Sequence, residues 1–382
     1  MYISHLSLNN FRNYTAQEID LPSGPIVLCG DNAQGKTNFL EAIYLLATSK
    51  SPWASTDREL VNWLSTDDVL QYTRLGAQVS GGSGDAQVEI VLTTQSGASD
   101  QEQARYLKHI KVNGVARRAT DLIGIIRVVM FDPHDTEIVG GSPSLRRRYM
   151  DATNSQVDPV YLRNLQQYGK VIGQRNHLLR MIKENRASAN ELEFWNSQLV
   201  EAGSYIIDKR LSAIASIDSI ACDIHRQLTD GTESLKTIYM PSVNQIPGKD
   251  TSQAFSQALR DAQREEIARG ISVVGPHRDD LRFIAGDVDM YVYGSRGQHR
   301  TVALSIKLAQ GRYIQKISGD SPILLLDDVL SELDSERRRH LLKAVLNYDQ
   351  AVITATDWDH FDADFLSKAS RFKVSGGSLE ST

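Results

Sequence analysis

Apolar positions open the chain in short alternating runs. Ile3, Leu6 and Leu8, then Ile19 and Leu21, predict strands that end in a turn at Pro22-Ser23-Gly24-Pro25. Ile26-Val27-Leu28-Cys29 is an unbroken apolar run of strand length, which predicts a buried strand. Over residues 38–47 the period changes: Phe39, Ile43 and Leu46, with Leu40 and Ala47 beside them, fall on one face of a helix. Residues 77–92 and 110–115 predict antiparallel hairpins, the second turning at Asn113-Gly114. The Gly/Ser/Gln-rich stretch 95–103 between them is expected to be a mobile loop. Residues 125–131 predict another buried strand. From 143 to 227 the texture is helical, with apolar faces at Leu162, Leu165, Val171-Ile172, Leu178-Leu179 and Ile182; sustained heptads are missing, which excludes a long coiled coil. Strand-like texture returns from 272 through Phe283 and from Met290 to Tyr293. A helix over 302–317, a strand over 323–326, a helix after Asp334 and a strand over 351–354 complete the pattern.

Composition narrows the class. The 382 residues, 41% hydrophobic and 23% charged, suit a globular chain of one large domain with an insertion, or of two domains. Forty-two basic residues against 47 acidic ones leave a net charge of -5, so any nucleic-acid surface has to be local. Cys29 and Cys222 lie far apart and outside zinc spacing, and read as small buried hydrophobes. The opening MYISHLSLNNFRNY has no leader pattern and no stretch approaches a membrane span, so a cytoplasmic, non-membrane protein is expected.

The chemistry begins at Gly30-Asp31-Asn32-Ala33-Gln34-Gly35-Lys36-Thr37, which fits G-x-x-x-x-G-K-[ST] between a predicted strand and a predicted helix. Glycines let the backbone curl round phosphates, the amides and helix N-terminus bind the anion, Lys36 reaches the β and γ phosphates, and Thr37 ligates Mg²⁺. ATP and Mg²⁺ are therefore the expected ligands. Ile323-Leu324-Leu325-Leu326-Asp327-Asp328 is an apolar strand ending in two acids. Such an Asp also caps turns, but beside a P-loop Asp327 reads as the Mg²⁺ acid and Asp328 as base or water-positioner, with Lys36 its catalytic companion.

The order of segments matters next. Gly294-Ser295-Arg296-Gly297-Gln298-His299-Arg300-Thr301 precedes the acid-ended strand by about 30 residues, as the signature loop does in ABC-type ATPases, which this order resembles. Aligned with that loop, Ser295, Gly297 and Gln298 are expected to hold the γ-phosphate of ATP bound by a partner subunit. Ser295 is equally a helix N-cap, and the two roles are compatible. Within the class the chain resembles the RecF family of bacterial recombination-mediator ATPases. The resemblance rests on NFRNY, GDNAQGKTNFLEAIY, VNG, GSPSLRRRYMD, GPHRDDL, YGSRGQHRT and PILLLDDVLSELD, in the family's order along nearly the whole chain. It departs at His134, where the family usually shows an acid, at His299, where many members carry Gln, and at Thr356, where transporters carry a phosphate-sensing histidine.

The resemblance implies an α/β fold: an ABC-type, Rad50-like ATPase head with mixed sheets, plus a second lobe containing a helical insertion. Residues 1–115 and 285–382 are assigned to the ATPase lobe and 116–284 to the largely helical lobe with DNA or dimer contacts. It also implies weak DNA-stimulated ATP hydrolysis, an ATP-dependent homodimer, binding to single-stranded and duplex DNA at gaps or junctions, and recombinase loading with RecO and RecR. The setting would be replication, recombinational repair and the response to DNA damage. Arg146-Arg147-Arg148 and Arg117-Arg118 are candidate phosphate contacts, although such runs are also common on solvated helix faces. Lys50 with Trp53 and His277 with Arg278 are weaker candidates, and Arg12 and Tyr14 either approach the nucleotide or close a hairpin. The alternatives are an SMC/Rad50-like head, an ABC transporter subunit, which the long helical insert and NFRNY disfavour, and a clamp that binds ATP only to dimerise.

Overall fold

A computed structural model describes residues 1–62, 72–82, 84–94 and 106–382. The loop expected at 95–103 lies outside the described residues. The chain divides into two compact units, Met1–His134 with Gln310–Thr382, and Asp135–Ala309.

The first unit holds two six-stranded sheets. One is antiparallel, in the order Tyr14–Asp20, Tyr2–Phe11, Tyr72–Ser80, Ala86–Thr94, Tyr106–Val112, Val115–Arg117. The other runs Ser378–Ser381, Ser370–Ser375, Gly24–Cys29, Gln350–Ala355, Ile323–Leu326, Val128–Phe131, and its pairs are parallel except the C-terminal hairpin. The helix Lys36–Thr48 buries Phe39, Leu40, Ala42, Ile43, Leu45, Leu46 and Ala47 in one core with residues from both sheets. A helix that is apolar on most of its circumference needs packing on more than one side, and the two sheets supply it. Segments of the unit remote in sequence are tied together: Gln350 bonds the backbone of Ile3 and Pro22, and the amino group of Met1 pairs with Asp349.

The second unit combines a small antiparallel sheet, Val288–Asp289, Asp280–Ala285, Leu235–Met240, with the helices Pro143–Val157, Pro159–Lys183, Leu192–Leu228 and Thr251–Arg269. Its core gathers Tyr161, Tyr168, Val171, Leu199, Ile206, Ile207, Phe255 and Leu259. Inside it sits a polar lattice. Arg175, fully buried, donates to Glu266 at 2.6 Å, Ser272 at 2.7 Å and Asn196 at 2.8 Å. Arg210 donates to Asp151, to Asp279 and to the carbonyl of Pro276, and Asp279 also accepts from Tyr239 and from the Ser242 N–H. The buried charges are paired and bonded, the condition under which they are tolerated.

The boundaries fall later than the pattern suggested. Residues 116–134 join the first unit because Val128–Phe131 pairs in parallel with Ile323–Leu326. Residues 285–309, including the GSRGQHRT loop, fall in the second unit. Met290–Tyr293 is a short helix rather than a strand, and the strand expected from 272 begins only at Asp280. The helix expected at 302 starts at Arg296, a turn and a half earlier.

Candidate nucleotide-binding site

The parallel strand Gly24–Cys29 delivers the chain to Gly30, and residues 30–35 turn it into the helix Lys36–Thr48. Gly35 caps that helix with φ 117°, a conformation that glycine adopts without a Cβ penalty. A Cβ there would lie 2.7 Å from Asn13 Nδ2 and 3.1 Å from Tyr14 Oη. Lys36 folds back along the loop, its Nζ donating to the carbonyls of Gly30 at 2.5 Å and Asp31 at 2.9 Å. Burial holds its ammonium below the usual lysine value, opposed by the negative charges of Asp328, Asp327 and Asp31. Asp31, Asn32, Ala33 and Thr37 are exposed on the loop's open side.

Two hairpins from opposite ends of the chain brace this loop. On one side Asn13 Nδ2 donates to the Gln34 carbonyl at 2.9 Å while Asn38 donates to Asn13 Oδ1 at 2.8 Å, and Tyr14 Oη donates to the Gly35 carbonyl at 3.0 Å. On the other, the turn of the C-terminal hairpin offers two amides: Gly376 N–H to Gln34 Oε1 at 2.7 Å and Gly377 N–H to the Gln34 carbonyl at 3.0 Å. Gly377 has φ 78°, and a Cβ on it would collide with the Asn13 carbonyl. The sequence left two readings of Arg12 and Tyr14. The hairpin does close at Phe11 and Tyr14, Tyr14 reaches the P-loop backbone, and Arg12 forks onto the buried Glu41 with both bonds at 2.7 Å.

The acid-ended strand meets the loop. Thr37 Oγ1 lies 3.0 and 2.9 Å from the two carboxylate oxygens of Asp327. Thr354, at the end of the neighbouring strand, donates to Asp327 Oδ1 at 2.8 Å and accepts the Asp328 N–H at 2.9 Å. Burial raises the pKa of Asp327; the bonds from Thr354 and Thr37 oppose that rise, and the carboxylates of Asp132 and Asp328 reinforce it. Asp328 adopts φ 49°, and its buried Oδ1 has no hydrogen-bond partner among the described residues. A hydroxyl and a crowded group of carboxylates form a hard-oxygen donor set of the kind Mg²⁺ takes. The unmatched Asp328 oxygen is an acceptor in want of a proton donor such as water.

In the second unit, Ser295 and Gln298 form a reciprocal cap at the start of the helix Arg296–Ser318. Ser295 Oγ accepts the Gln298 N–H at 3.3 Å, and Gln298 Oε1 accepts the Ser295 N–H at 3.1 Å. That bond pair explains the early helix start. Ser295, Arg296 and Gly297 are exposed. His299 turns inward, bonded to the Met290 carbonyl at 2.7 Å. Thr356 is exposed just beyond the strand Gln350–Ala355, and His134 is exposed with its N–H on Asp132.

The arginine runs separate. Arg146 is buried, bidentate on Asp280 at 2.5 and 2.9 Å and bonded to the Gly141 carbonyl at 2.7 Å, so it leaves the set of candidate DNA contacts. Arg147 is half-buried and donates to the Asp279 carbonyl. Arg148 and Arg117 are exposed, and Arg118 is exposed beside Asp121. His277 also leaves the set: it is held between Tyr168 Oη at 2.7 Å and the Ser272 carbonyl at 3.2 Å, and Arg278 donates to the same carbonyl. Trp53 packs against the core, while Lys50 stays exposed. Cys29 is buried and Cys222 half-buried; both are free thiols.

Comparison with known proteins places this geometry. Residues 2–371 match the RecF/RecN/SMC N terminal domain family. DNA replication and repair protein RecF of Chloroflexus aggregans (strain MD-66 / DSM 9485) is 42% identical over 390 residues, covering 99% of each chain. That of Halalkalibacterium halodurans (strain ATCC BAA-125 / DSM 18197 / FERM 7344 / JCM 9153 / C-125) is 39% identical, covering 100% of this chain and 99% of the relative. A solved structure of the recombination mediator protein RecF with ATP, in the RecFOR pathway, superposes with TM-score 0.86 at 30% identity, covering 100% of this chain and 97% of that one. An Smc head bound to the C-winged helix domain of ScpA, at TM-score 0.57 and 15% identity with 100% and 97% covered, shares the fold.

Proposed function

The chain belongs to the RecF family, and from that premise we propose that it is a DNA repair and replication ATPase whose nucleotide is clamped between two copies of itself. The observation that carries the reading is the meeting of Thr37 with Asp327 at the mouth of a braced P-loop. ATP binding accords with RecF structures that hold ATP and ATPrS.

The residues divide the work. The amides of residues 30–37 and the N-terminus of the following helix receive the phosphates, and Lys36, released from the Gly30 and Asp31 carbonyls, neutralises them. Thr37 and Asp327 would hold Mg²⁺, which when bound supplies positive charge to the phosphate oxygens. Thr354 keeps Asp327 aimed and its charge satisfied. Asp328, with an acceptor oxygen to spare, orients the attacking water. Ser295 has a hydroxyl proton free while its oxygen accepts from Gln298. The exposed cap and the first amides of that helix suit the γ-phosphate of a nucleotide on a second copy, with Gly297 leaving the approach open. ATP then acts as a timed clamp on DNA, and the clamp loads recombinase at gaps together with RecO and RecR. The site of action in this reading is the cytoplasm; among the described residues no helix is long and apolar enough to cross a membrane.

Single-turnover hydrolysis tests the reading. Lys36→Arg and Asp328→Asn should each abolish it, and duplex DNA should accelerate the unmodified protein. Hydrolysis that survives in the Asp328→Asn variant would remove Asp328 from the role, and failure of any DNA to stimulate would favour a clamp that only binds ATP.

A further inference from the structure

The helix Pro159–Lys183 contains no acidic residue in 25 positions. With 47 acids in 382 residues, a segment of that length carries about three on average composition. Its neighbours follow the average: Leu192–Leu228 includes Glu193, Glu201, Asp208, Asp218 and Asp223, and Thr251–Arg269 includes Asp261, Glu265 and Glu266. The inward face is apolar apart from Arg175, which Glu266 neutralises.

The outward face is cationic. Arg163, Lys170 and His177 recur every seven residues and so lie close to one line, and Arg180 and Lys183 follow at three-residue steps that carry the charge obliquely round the outward face, about 60° per step; all five are exposed. Among the described residues none of them has an ion-pair partner, in contrast to Arg146 on the preceding helix. The acid just past the helix end, Glu184, is paired with Arg186 at 3.1 Å. Past the first turn, where Pro159 and Val160 are exposed, the remaining exposed positions are Gln166, Gln167, Gly169, Gly173 and Gln174. A Cβ at Gly169 or Gly173 would meet nothing within 4 Å, so no packing inside the protein requires glycine there. Glycine is unfavourable in a helix interior; what it offers here is a bare backbone surface that a ligand can approach closely.

A solvated helix face mixes charges of both signs, and this one does not. From Arg163 to Lys183 the track is about 30 Å long at 1.5 Å per residue, close to one turn of duplex at about 34 Å. Fixed cations with amide side chains and bare backbone between them suit a chain of phosphates, which needs positive charge and uncharged hydrogen-bond donors but no sequence code. We propose that the outward face of Pro159–Lys183 is a nucleic-acid backbone-binding track, with Arg163, Lys170 and Arg180 as its phosphate contacts. This rests on the proposed function and moves the DNA surface away from the arginine run that the sequence brought forward.

The test is a salt titration of DNA binding by the full chain with ATP, using gapped duplex as probe. Replacing Arg163, Lys170 and Arg180 together by Ala removes three charges at exposed positions where alanine favours the helix. The slope of log K against log salt should become shallower by about two to three units, and affinity near 0.15 M salt should fall at least about tenfold. Arg163→Lys with Arg180→Lys should retain binding. The triple variant Arg260→Ala, Arg264→Ala, Arg269→Ala, which loses the same charge from the acid-bearing helix, should keep the original slope. An unchanged slope in the first triple variant, or an equal loss in the second, overturns the track. Loss of DNA binding with the track intact as a docking face for an acidic protein would show as an unmodified chain that binds no DNA at all, which overturns the function reading together with the track, whereas DNA binding insensitive to the first triple overturns the track alone.

Discussion

Replacing Thr354 by Val keeps the shape of a fully buried side chain and removes one oxygen. That oxygen donates to Asp327 at 2.8 Å and accepts the Asp328 N–H at 2.9 Å. The substitution takes one of two hydroxyl donors from the buried Asp327 Oδ1, leaving Thr37, and strands the Asp328 amide. A lost bond to a charged group costs about 1.5–3 kcal/mol and an unsatisfied buried donor about 1–3 kcal/mol, so the expected loss is about 3–5 kcal/mol. In a unit of roughly 200 residues, where each kcal/mol moves the midpoint by about 2–4 °C, thermal unfolding should begin about 6–20 °C lower. Function should respond in a particular direction. Thr354 is the foremost influence opposing the rise in the Asp327 pKa, so its loss pushes that pKa further up. The acid limb of hydrolysis should move to higher pH, and the Mg²⁺ concentration for half-maximal rate should rise about tenfold, the equivalent of about 1.4 kcal/mol. Thr354→Ser, which keeps the hydroxyl, should restore the pH limb even if it unfolds somewhat earlier. A Val variant with the unmodified protein's midpoint, pH limb and Mg²⁺ requirement would refute the role given to Thr354.

Other consequences follow from neighbouring groups. Asp327 has a raised pKa in the folded chain, so its contribution to stability is present below the ordinary carboxylate value and is lost as pH rises through the folded value. Asp327→Asn should therefore raise the melting temperature of the nucleotide-free protein at neutral pH while abolishing Mg²⁺-dependent hydrolysis; a lower melting temperature contradicts the crowding of acids. Burial lowers the His277 pKa to about 4. Stability from keeping it neutral is present above about 6.5 and declines by about 3 kcal/mol as pH falls toward 4, and melting curves of His277→Gln should lose that part of the acid dependence. Gly377→Ala places a Cβ against the Asn13 carbonyl, which should loosen the P-loop and raise the Kd for ATP while leaving DNA affinity without nucleotide unchanged; equal effects on both would indicate general unfolding.

The local chemistry of the site was legible because it is contiguous. Eight residues from Gly30 to Thr37 carry their own turn and helix start, and a short apolar strand ending in Asp327 and Asp328 carries its own reading. What stayed hidden depends on residues remote in sequence. Nothing near Asn13 or Gly376 marks them as braces of Gln34, because the contact exists only once both chain ends reach the same loop. Thr354 looked like any β-branched residue in a strand. Arg146 looked free because a run of arginines does not reveal an aspartate 134 positions away. The helix start at Arg296 was available from Ser295 and Gln298, whose spacing is that of a capping box, but the apolar period pointed to a later start. The missing acids of Pro159–Lys183 are equally present in the sequence, but a charge spread at helical spacing forms no run.

The central claim is that the exposed cap at Ser295 completes a nucleotide site on a second copy. Sedimentation with ATP and Mg²⁺ tests it most directly, comparing the unmodified chain with Ser295→Arg after each is shown to bind ATP equally as a monomer. The account predicts a dimer for the unmodified chain and a monomer for the variant. An ATP-dependent dimer that persists in Ser295→Arg would contradict it.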